Sequence, residues 1–381
     1  MYVDCAIVFD EDKSFITFSS LEKGKFKFIQ EIELPLPLME QNVLDFLYQN
    51  IETFDKKIKE IENKKSFIIK KIFLGLPWNF VESKVVSETF LLKRKKKITT
   101  GDISLAKSYL ENKFLDWDDF CVHNIPIHFN VEGIEYDNPP LNCWAKKIEI
   151  KSLLMWIKDK VYKEVESIFD SLDRVFGGVI AGPIGLFAQV YEKKNGIQAV
   201  ISIDYGTSHI VIRDKSGFNF IEYTDFGVKK ILDKLANEFL ISLSLAEEVF
   251  LRYISFKELS YSKEITVKKE DSYINLSTQS INMFTKRYIG KEIERLMKEI
   301  KKITGNKDFK IAFVGRLNSK EGFYGFLTKF VSVSIKSQIY KSTLSPSFGC
   351  VKYGTTRFLE NEHKVKNSFF YKISAIYNEY F

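Results

Sequence analysis

Apolar and polar residues follow two spacings along the chain, one typical of strands and one typical of helices. The N-terminal part predicts three strands, at 2–9, 14–18 and 26–33. A helix is predicted next, because apolar residues then recur at helical spacing: Val43, Leu44, Leu47, Ile51 and Phe54. A further strand at 68–76 ends before a proline.

A smaller α/β unit is predicted as an insertion after this strand. It has a strand near 84–92 and then Thr99–Asp102, which has the spacing of a capping box at a helix start. Two more strands, near 120–131 and 143–150, complete the unit.

The second half of the chain again alternates strands and helices. A helix near 152–173 leads into Val175–Pro183, whose glycines predict a buried strand with a tight exit. Strands at Ala199–Asp204 and His209–Arg213 flank the turn Tyr205–Ser208. The remaining predicted elements are a strand at Phe218–Tyr223, helices near 227–240, 244–254 and 277–304 (the last ended by Gly305), and a strand at Lys310–Val314.

Hydrophobic residues make up 45% of the 381 residues, which is enough for buried cores and excludes wholesale disorder. No apolar run reaches the roughly 18 residues of a membrane-spanning helix, and Met1–Lys13 lacks the basic start of a secretory signal. The four cysteines and four histidines have no metal or redox spacing. We therefore expect reduced, buried thiols and no structural metal.

The net charge of +7 does not by itself indicate a nucleic-acid partner. Lysines alternate with Glu and Asp along the whole chain, which predicts a solvated surface and no nucleic-acid binding. One dense basic run, Lys93–Lys97, precedes a predicted helix. An exposed strand end or loop is favoured there over a polyanion site.

The two halves of the chain each open with a predicted β-hairpin that is followed by helices and further strands. This order predicts an α/β, two-lobed actin/hexokinase-like ATPase fold, in which paired hairpin turns hold nucleotide phosphates between the lobes. The second turn supplies Gly206 and the short donors Thr207 and Ser208, which suit a phosphate. Asp204 before it suits Mg²⁺ held through water. A plain strand–turn–strand hairpin would have the same sequence.

Short segments in the same order along the chain resemble the FtsA family of bacterial cell-division proteins. They are Val122–Phe129, Val179–Pro183, Leu243–Val249, Lys286–Tyr288, Ile311–Gly315 and Gly322–Phe323. The unit at 81–151 also resembles the small SHS2-type subdomain that this family carries in place of an actin subdomain. The resemblance covers nearly the whole chain.

The resemblance implies a domain order and self-association into actin-like filaments, with the insertion at the subunit contact. The domains are 1–80 and 152–195 (first lobe), 81–151 (inserted SHS2-type subdomain), 196–227 and 308–356 (second lobe), 228–307 (second-lobe small subdomain) and 357–381 (linker and C-terminal amphipathic helix).

The resemblance also places a degenerate nucleotide site in this chain: Asp10, Lys13, Asp204 (through Mg²⁺), Gly206, Thr207, Ser208, Gly315 and Arg316. Acidic residues replace the glycine and threonine of the family's first phosphate loop, and like charges oppose a polyphosphate. His209 stands where relatives have an acid that positions water, and Phe250 where they have a lysine. We expect weak binding of ATP with Mg²⁺, negligible hydrolysis and no catalytic residue. Lys13 and Arg316 have a second interpretation as ordinary turn residues.

The C-terminal segment 368–381 is amphipathic when drawn as a helix. Its membrane-binding candidates are Phe369, Phe370, Ile373, Ile376, Tyr377 and Tyr380, with Lys372 beside them. Large apolar and aromatic side chains suit a lipid interface, and lysine suits an anionic membrane surface. A terminal helix docked on the protein itself is the alternative.

The FtsA family binds the C-terminal peptide of FtsZ, the tubulin-like division GTPase, on its second-lobe small subdomain. The resemblance therefore implies the same partner here, on basic residues of one helix: Lys286, Arg287, Lys291 and Arg295. A solvated lysine-rich helix is the alternative. The resemblance further implies other division proteins as partners. It also implies a peripheral location on the cytoplasmic side of the cell membrane at the division site.

Two other functions share this fold. One is a scaffold of pilus or secretion assembly that resembles PilM. The other is an enzyme that resembles sugar kinases or phosphatases, although no acidic catalytic base is identifiable in the sequence. Fold alone does not separate these classes.

Overall fold

The computed structural model describes residues 2–23, 25–38, 42–190, 197–214, 217–257, 263–269, 272–305, 309–330 and 346–366. In chain order the strands are β1 (Tyr2–Phe9), β2 (Ser14–Glu22), β3 (Lys25–Leu34), β4 (Ile68–Leu76), β5 (Glu82–Lys97), β6 (Asp119–Val131), β7 (Ile134–Tyr136), β8 (Trp144–Lys158), β9 (Phe176–Ala181), β10 (Ile197–Ile203), β11 (Ser208–Asp214), β12 (Gly217–Thr224), β13 (Glu264–Lys269), β14 (Ser272–Ser277) and β15 (Phe309–Gly315). The helices are α1 (Val43–Lys65), α2 (Thr100–Phe114), α3 (Asp159–Ser171), α4 (Gly182–Val190), α5 (Val228–Phe239), α6 (Leu243–Tyr253), α7 (Thr278–Thr304), α8 (Phe323–Leu327) and α9 (Pro346–Lys366).

The first lobe is built on a sheet with the strand order β3-β2-β1-β4-β9. Strands β1 to β3 are antiparallel, whereas β4 runs parallel to β1 and to β9. Successive residues of β1 point to opposite faces. Cys5 and Ile7 enter the core formed with α1 and α3, while Ala6 and Val8 contact Cys350 of α9.

The inserted unit is a sheet of order β5-β8-β6-β7 with α2 on one face. The predicted capping box is confirmed, because the Thr99 and Asp102 side chains and backbone N–H groups bond reciprocally. The helix predicted from 152 begins only at Asp159. Residues 152–158 instead continue β8 between β5 and β6. The cause is that a short apolar run does not distinguish a buried strand from a helix.

The second lobe repeats the first, with a sheet of order β12-β11-β10-β15 in which β15 runs parallel to β10. Ile201 and Ile203 face a core that contains α5 and α7, and Val200 faces the first-lobe core. The long helix predicted near 277–304 is confirmed as Thr278–Thr304.

The C-terminal helix α9 corrects two expectations. It packs on α4 and on β1, β2 and β4 of the first sheet, although residues up to 356 were assigned to the second lobe. Its apolar face, with Cys350 and Val351, covers the open side of that sheet. The helix also continues to Lys366, so a polar linker does not begin at 357. The domain division as a whole stays a prediction.

Gly305 ends α7 in the left-handed conformation, with φ 61°. We expect Gly305→Ala to lower the free energy of unfolding by about 1 kcal/mol, because a Cβ is disfavoured in this conformation. Gly325→Ala in α8 is the control, since no atom lies within 4 Å of its added Cβ. Equal denaturant midpoints for the two variants would contradict the assigned cap.

Among the described helices, none is both long enough and apolar enough to cross a membrane.

Candidate functional site: the cleft between the lobes

Two equivalent hairpin turns meet in the cleft between the lobes. Residues 10–13 join β1 to β2, and residues 204–207 join β10 to β11. In the first turn the N–H of Asp10 donates to the Lys13 carbonyl over 2.9 Å. In the second, the N–H of Asp204 donates to the Thr207 carbonyl over 2.9 Å. The chain therefore contains the paired turns that the sequence predicts.

Arg316, which follows β15, joins the second lobe to the first turn. Its Nη2 lies 3.4 Å from Oδ2 of Asp10 and makes a closer ion pair with Asp12. The guanidinium also lies 5.8 Å from the centre of the Tyr205 ring. The charged side chains of both ion pairs are only about a quarter exposed, so water screens them less than surface pairs. Protein charges thus bridge the lobes.

Glu11 fills the space beside the second turn. Its carboxylate lies so close to Gly206 that an added methyl group there would overlap it. Burial, and then the neighbouring Asp10, raise the pKa of Glu11, while Lys229 opposes the rise. A side chain of the first lobe therefore occupies the place where the predicted phosphate would contact the turn.

Asp204 is held by a short hydrogen-bond network. The Ser202 hydroxyl lies 2.7 Å from both carboxylate oxygens, and Nε2 of His209 lies 3.7 Å from Oδ2. Burial, followed by the charge of Asp10, raises the pKa of Asp204 to about 7. Burial lowers the pKa of His209 to about 4, so this imidazole is neutral near pH 7. His209 therefore provides no positive charge against Asp204.

Phe250, near the end of α6, is covered by another side chain of the protein. Lys320 Nζ lies 4.4 Å from the centre of the buried Phe250 ring and donates to the Phe250 carbonyl over 2.6 Å. Gly315 sits against the carbonyl of Ile203 at the end of the paired strands. Lys320 therefore caps the C-terminal end of α6.

The cavity that remains between the two turns has a volume of about 50 Å³. Its walls include Asp10, Glu11, Asp204 and His209, with Phe15 and Trp78. Pockets for ligands of drug size measure about 300–1,000 Å³, so this cavity suits a few water molecules. This cavity by itself is too small for a triphosphate.

In the cleft a protein cation stands beside the carboxylates that would hold Mg²⁺. Arg316 already provides the positive charge beside Asp10 and Asp12. Within the described residues, the only three acidic side chains whose oxygens all approach within 4.8 Å are Asp116, Asp118 and Asp119. Asp118 and Asp119 of that group are partly buried and pair with Lys158, so we assign it no metal.

Six of the eight predicted nucleotide residues come together here: Asp10, Asp204, Gly206, Thr207, Gly315 and Arg316. The other two do not. The Lys13 side chain forms an ion pair, at 2.6 Å, with Glu33 of strand β3. Ser208 is fully buried and donates to the Phe226 carbonyl, because its side chain points into the second lobe. Both side chains therefore contact their own lobe: Lys13 contacts β3, and Ser208 contacts the residues that follow β12.

Glu11, Asp12 and Tyr205 also belong to the site, although the sequence does not predict them as site residues. Their proximity to Arg316 and Gly206 is set by how the two lobes meet. The available signal was the acidic run at positions 10–12 together with one arginine after the last strand of the second sheet. An acidic run after a strand of one half and an arginine after a strand of the other half would have indicated an ion pair.

The predicted partner residues lie on α7. Arg287, Lys291 and Arg295 are exposed and four residues apart, so they share one helix face. Lys286 lies apart from them and donates to the Lys257 carbonyl over 2.6 Å. The predicted membrane-binding residues, Phe369 to Tyr380, lie outside the described residues.

We expect Gly206→Ala to lower the free energy of unfolding by about 1 kcal/mol, because the added methyl displaces Glu11 from a packed position. In a Glu11→Ala background the Gly206→Ala change should lower the free energy of unfolding much less. Gly101→Ala, whose added Cβ would lie 3.6 Å from its nearest neighbour, is the control. Thermal midpoints of the natural chain, the three single variants and the double variant give the test, and an unchanged effect of Gly206→Ala without Glu11 would contradict the contact.

Two lobes with equivalent hairpin turns, joined across a cleft, define the actin-like ATPase fold, and the predicted fold class is confirmed. No family model and no curated protein sequence matches the chain. Solved structures do match it at low identity, and such a likeness shows the fold alone.

Three of these structures are close in shape. One is a PilM-PilN type IV pilus biogenesis complex, with 11% identity, 92% of this chain and 96% of that chain covered, and a TM-score of 0.58. The second is a MamK double helical filament, with 8% identity, 94% and 99% coverage, and a TM-score of 0.51. The third is a non-polymerising MamK mutant bound to AMPPNP, with 8% identity, 94% and 99% coverage, and a TM-score of 0.50.

Proposed function

We propose that this chain is an actin-fold scaffold that works without ATP turnover and, like FtsA, tethers FtsZ to the membrane. The observation that carries the proposal is the cleft, where Arg316 and three carboxylates of the first turn occupy the nucleotide position. Phosphoryl transfer needs phosphates, a metal ion and a positioned water. A cleft closed by its own charges supplies none of these, and ATP binds weakly at most.

The surface of α7 supports a peptide partner with apolar and acidic residues. Phe239 and Phe284 have ring centres 5.9 Å apart, and Phe284 stacks on Tyr288 at 6.5 Å. Leu240 and Met283 beside them are 72% and 54% exposed. The basic row of α7 lies on the same helix. Apolar anchors next to basic residues suit the FtsZ C-terminal peptide.

The C-terminal segment 368–381 supplies the membrane contact in this proposal. Its aromatic residues would enter the lipid interface, while Lys372 meets anionic headgroups. The protein then lies on the cytoplasmic side of the membrane at the division site. Self-association into filaments is supported by the likeness to a MamK filament. Other division proteins join the same assembly.

A PilM-like pilus or secretion scaffold is the second candidate. The likeness to the PilM-PilN complex favours it, with a TM-score of 0.58. The two candidates differ in their partner, since only the first requires FtsZ.

Recruitment of FtsZ to vesicles tests the proposal. Fluorescent FtsZ filaments, formed with GTP, are mixed with the full chain and phosphatidylglycerol vesicles, with and without ATP. We expect FtsZ on the vesicles in both cases, and about tenfold weaker binding of its C-terminal peptide after Arg287→Ala, Lys291→Ala and Arg295→Ala. The matched control replaces the exposed Lys64, Lys65 and Lys70 with alanine. FtsZ that stays in solution, or recruitment that needs ATP hydrolysis, would refute the proposal.

A further inference from the structure

Strand β5 has a four-residue bulge near its end. Leu91 pairs with Lys147 of β8, and the next paired residue, Lys96, lies opposite Ala145. Four residues of β5 therefore stand opposite one residue of β8. Since β5 is the edge strand of its sheet, the bulge projects from a free edge.

The bulge and the adjoining strand ends carry a concentration of positive charge. Six exposed cations lie there: Lys93, Arg94, Lys95, Lys97, Lys146 and Lys147. Among the residues that the structure describes, none of the six has an acidic partner. Lys96 is different, because it pairs with the buried Asp102 over 2.6 Å. Two acidic residues lie close to this group: Glu132 accepts a hydrogen bond from the backbone N–H of Lys146, and Glu149 lies two residues beyond Lys147. Six cations against two carboxylates leave a net positive charge.

Two large apolar side chains are exposed among these cations. Leu91 is 69% exposed and Trp144 is 59% exposed. Leu91 is the cross-strand neighbour of Lys147, and Trp144 that of Lys97. Directly paired residues of antiparallel strands point to the same face of the sheet. Their chain neighbours Phe90, Ala145 and Ile148 pack into the core under α2, so both pairs point to the opposite, solvent-exposed face and share one surface.

We propose that this surface binds an anionic lipid bilayer. We call it the basic tip, defined by Leu91, Lys93, Arg94, Lys95, Lys97, Trp144, Lys146 and Lys147. Lysine and arginine gain roughly 1 kcal/mol each near an anionic membrane surface. Tryptophan is enriched at membrane–water interfaces, where its ring meets the headgroups. Leu91 and Trp144 would enter the interface while the cations contact lipid phosphates.

The apolar residues favour a bilayer over a nucleic acid. A nucleic acid would use the cations and could stack a base on Trp144. It would leave the exposed Leu91 without a role, whereas a lipid interface takes up both apolar side chains. Binding to a bilayer therefore explains every exposed side chain of the basic tip.

The basic tip lies far from the contact that α9 makes with the inserted unit. Arg357 of α9 bonds to the Val122 carbonyl, near the point where Cys121 pairs with Trp156 of β8. Trp144 lies at the other end of β8, roughly 40 Å away at about 3.3 Å per residue. The tip is thus a second membrane contact, and it does not rest on the C-terminal helix of the proposed function.

Sedimentation with vesicles tests the tip in the full chain. The tip variant is Lys93→Gln, Arg94→Gln and Lys95→Gln, and the control with the same charge change is Lys64→Gln, Lys65→Gln and Lys70→Gln. Both are measured in the natural chain and in one with a polar C-terminal segment (Phe369→Ser, Phe370→Ser, Ile373→Ser and Ile376→Ser). Vesicles of phosphatidylcholine, with and without phosphatidylglycerol, are the probe, and circular dichroism verifies folding.

In either background we expect the tip variant to weaken binding to phosphatidylglycerol vesicles by on the order of 100-fold at low salt. Trp144→Ala should weaken it by about tenfold, and the control variant by much less. Equal losses for tip and control variants, or unchanged binding of the tip variant, would overturn the proposal. So would a tip that binds duplex DNA but not vesicles. If only the polar C-terminal segment reduces binding, the inference fails and the proposed function stands.

Discussion

Replacing Arg316 with alanine is expected to lower the free energy of unfolding by about 2–3 kcal/mol and to open the cleft. Breaking a buried ion pair costs about 3–5 kcal/mol, and partial exposure of these side chains reduces that cost. The variant would leave Asp10, Asp12 and Asp204 close together without the guanidinium. Urea unfolding gives the free energy, and limited proteolysis reports opening between the lobes.

Arg252→Ala is the matched control for this prediction. Arg252 pairs with Glu248 on the surface of α6, with side chains 68% and 49% exposed. Its removal should cost at most about 0.5 kcal/mol. Adding Asp10→Asn and Asp12→Asn to Arg316→Ala should recover most of the loss, because the unpaired charges are then removed. Equal effects of the two arginine variants would show that Arg316 does not join the lobes.

Replacing Asp204 with asparagine is expected to stabilise the protein increasingly as pH rises. The pKa of Asp204 is raised from 3.8 to about 7 by burial and by Asp10. Between these two values the folded protein binds a proton that the unfolded chain has lost. The free energy of unfolding of the natural protein therefore falls as pH rises through this window. Asparagine resembles the protonated form of aspartate at every pH, so the variant does not lose unfolding free energy through ionisation at this position.

The advantage of Asp204→Asn should grow by about 2–3 kcal/mol between about pH 5 and about pH 8. Urea unfolding of both proteins in the two buffers measures it. Asp12, whose pKa is raised to about 6 chiefly by burial, acts in the same direction over a lower range. Asp137→Asn on an exposed turn is the control and should stay within about 0.5 kcal/mol of the natural protein in either buffer. A pH-independent effect at position 204 would show that its carboxyl is not buried among charges.

Both predictions express one property of the cleft. A MamK mutant with a similar fold has been solved bound to AMPPNP. Here an arginine and acidic residues of the chain itself span the lobes. Closure that does not depend on a ligand suits a permanent scaffold better than a cycling ATPase.

Periodicity along the chain was sufficient to place most elements, since local spacing reports which face is buried. The capping box at Thr99 and the end of α7 at Gly305 were read from a few adjacent residues. Residues 152–158 were not, because a buried strand and a buried helix show the same apolar run. Residues 346–356 of α9 were expected in the second lobe but pack on the first sheet, because the sequence does not show on which sheet a helix packs.

The sequence by itself determined the α/β two-lobed fold, the two hairpin turns and the acidic run in the first turn, since strands, helices and turns each depend on residues close together in the chain. Only the tertiary structure decided that Arg316 pairs with Asp10 and Asp12, more than 300 positions away, and that Lys13 and Ser208 turn from the cleft. Such contacts depend on how the two sheets are oriented, and packing of the whole core sets that orientation. The same holds for the basic tip, where a change of register between β5 and β8 brings Trp144 beside the lysine run.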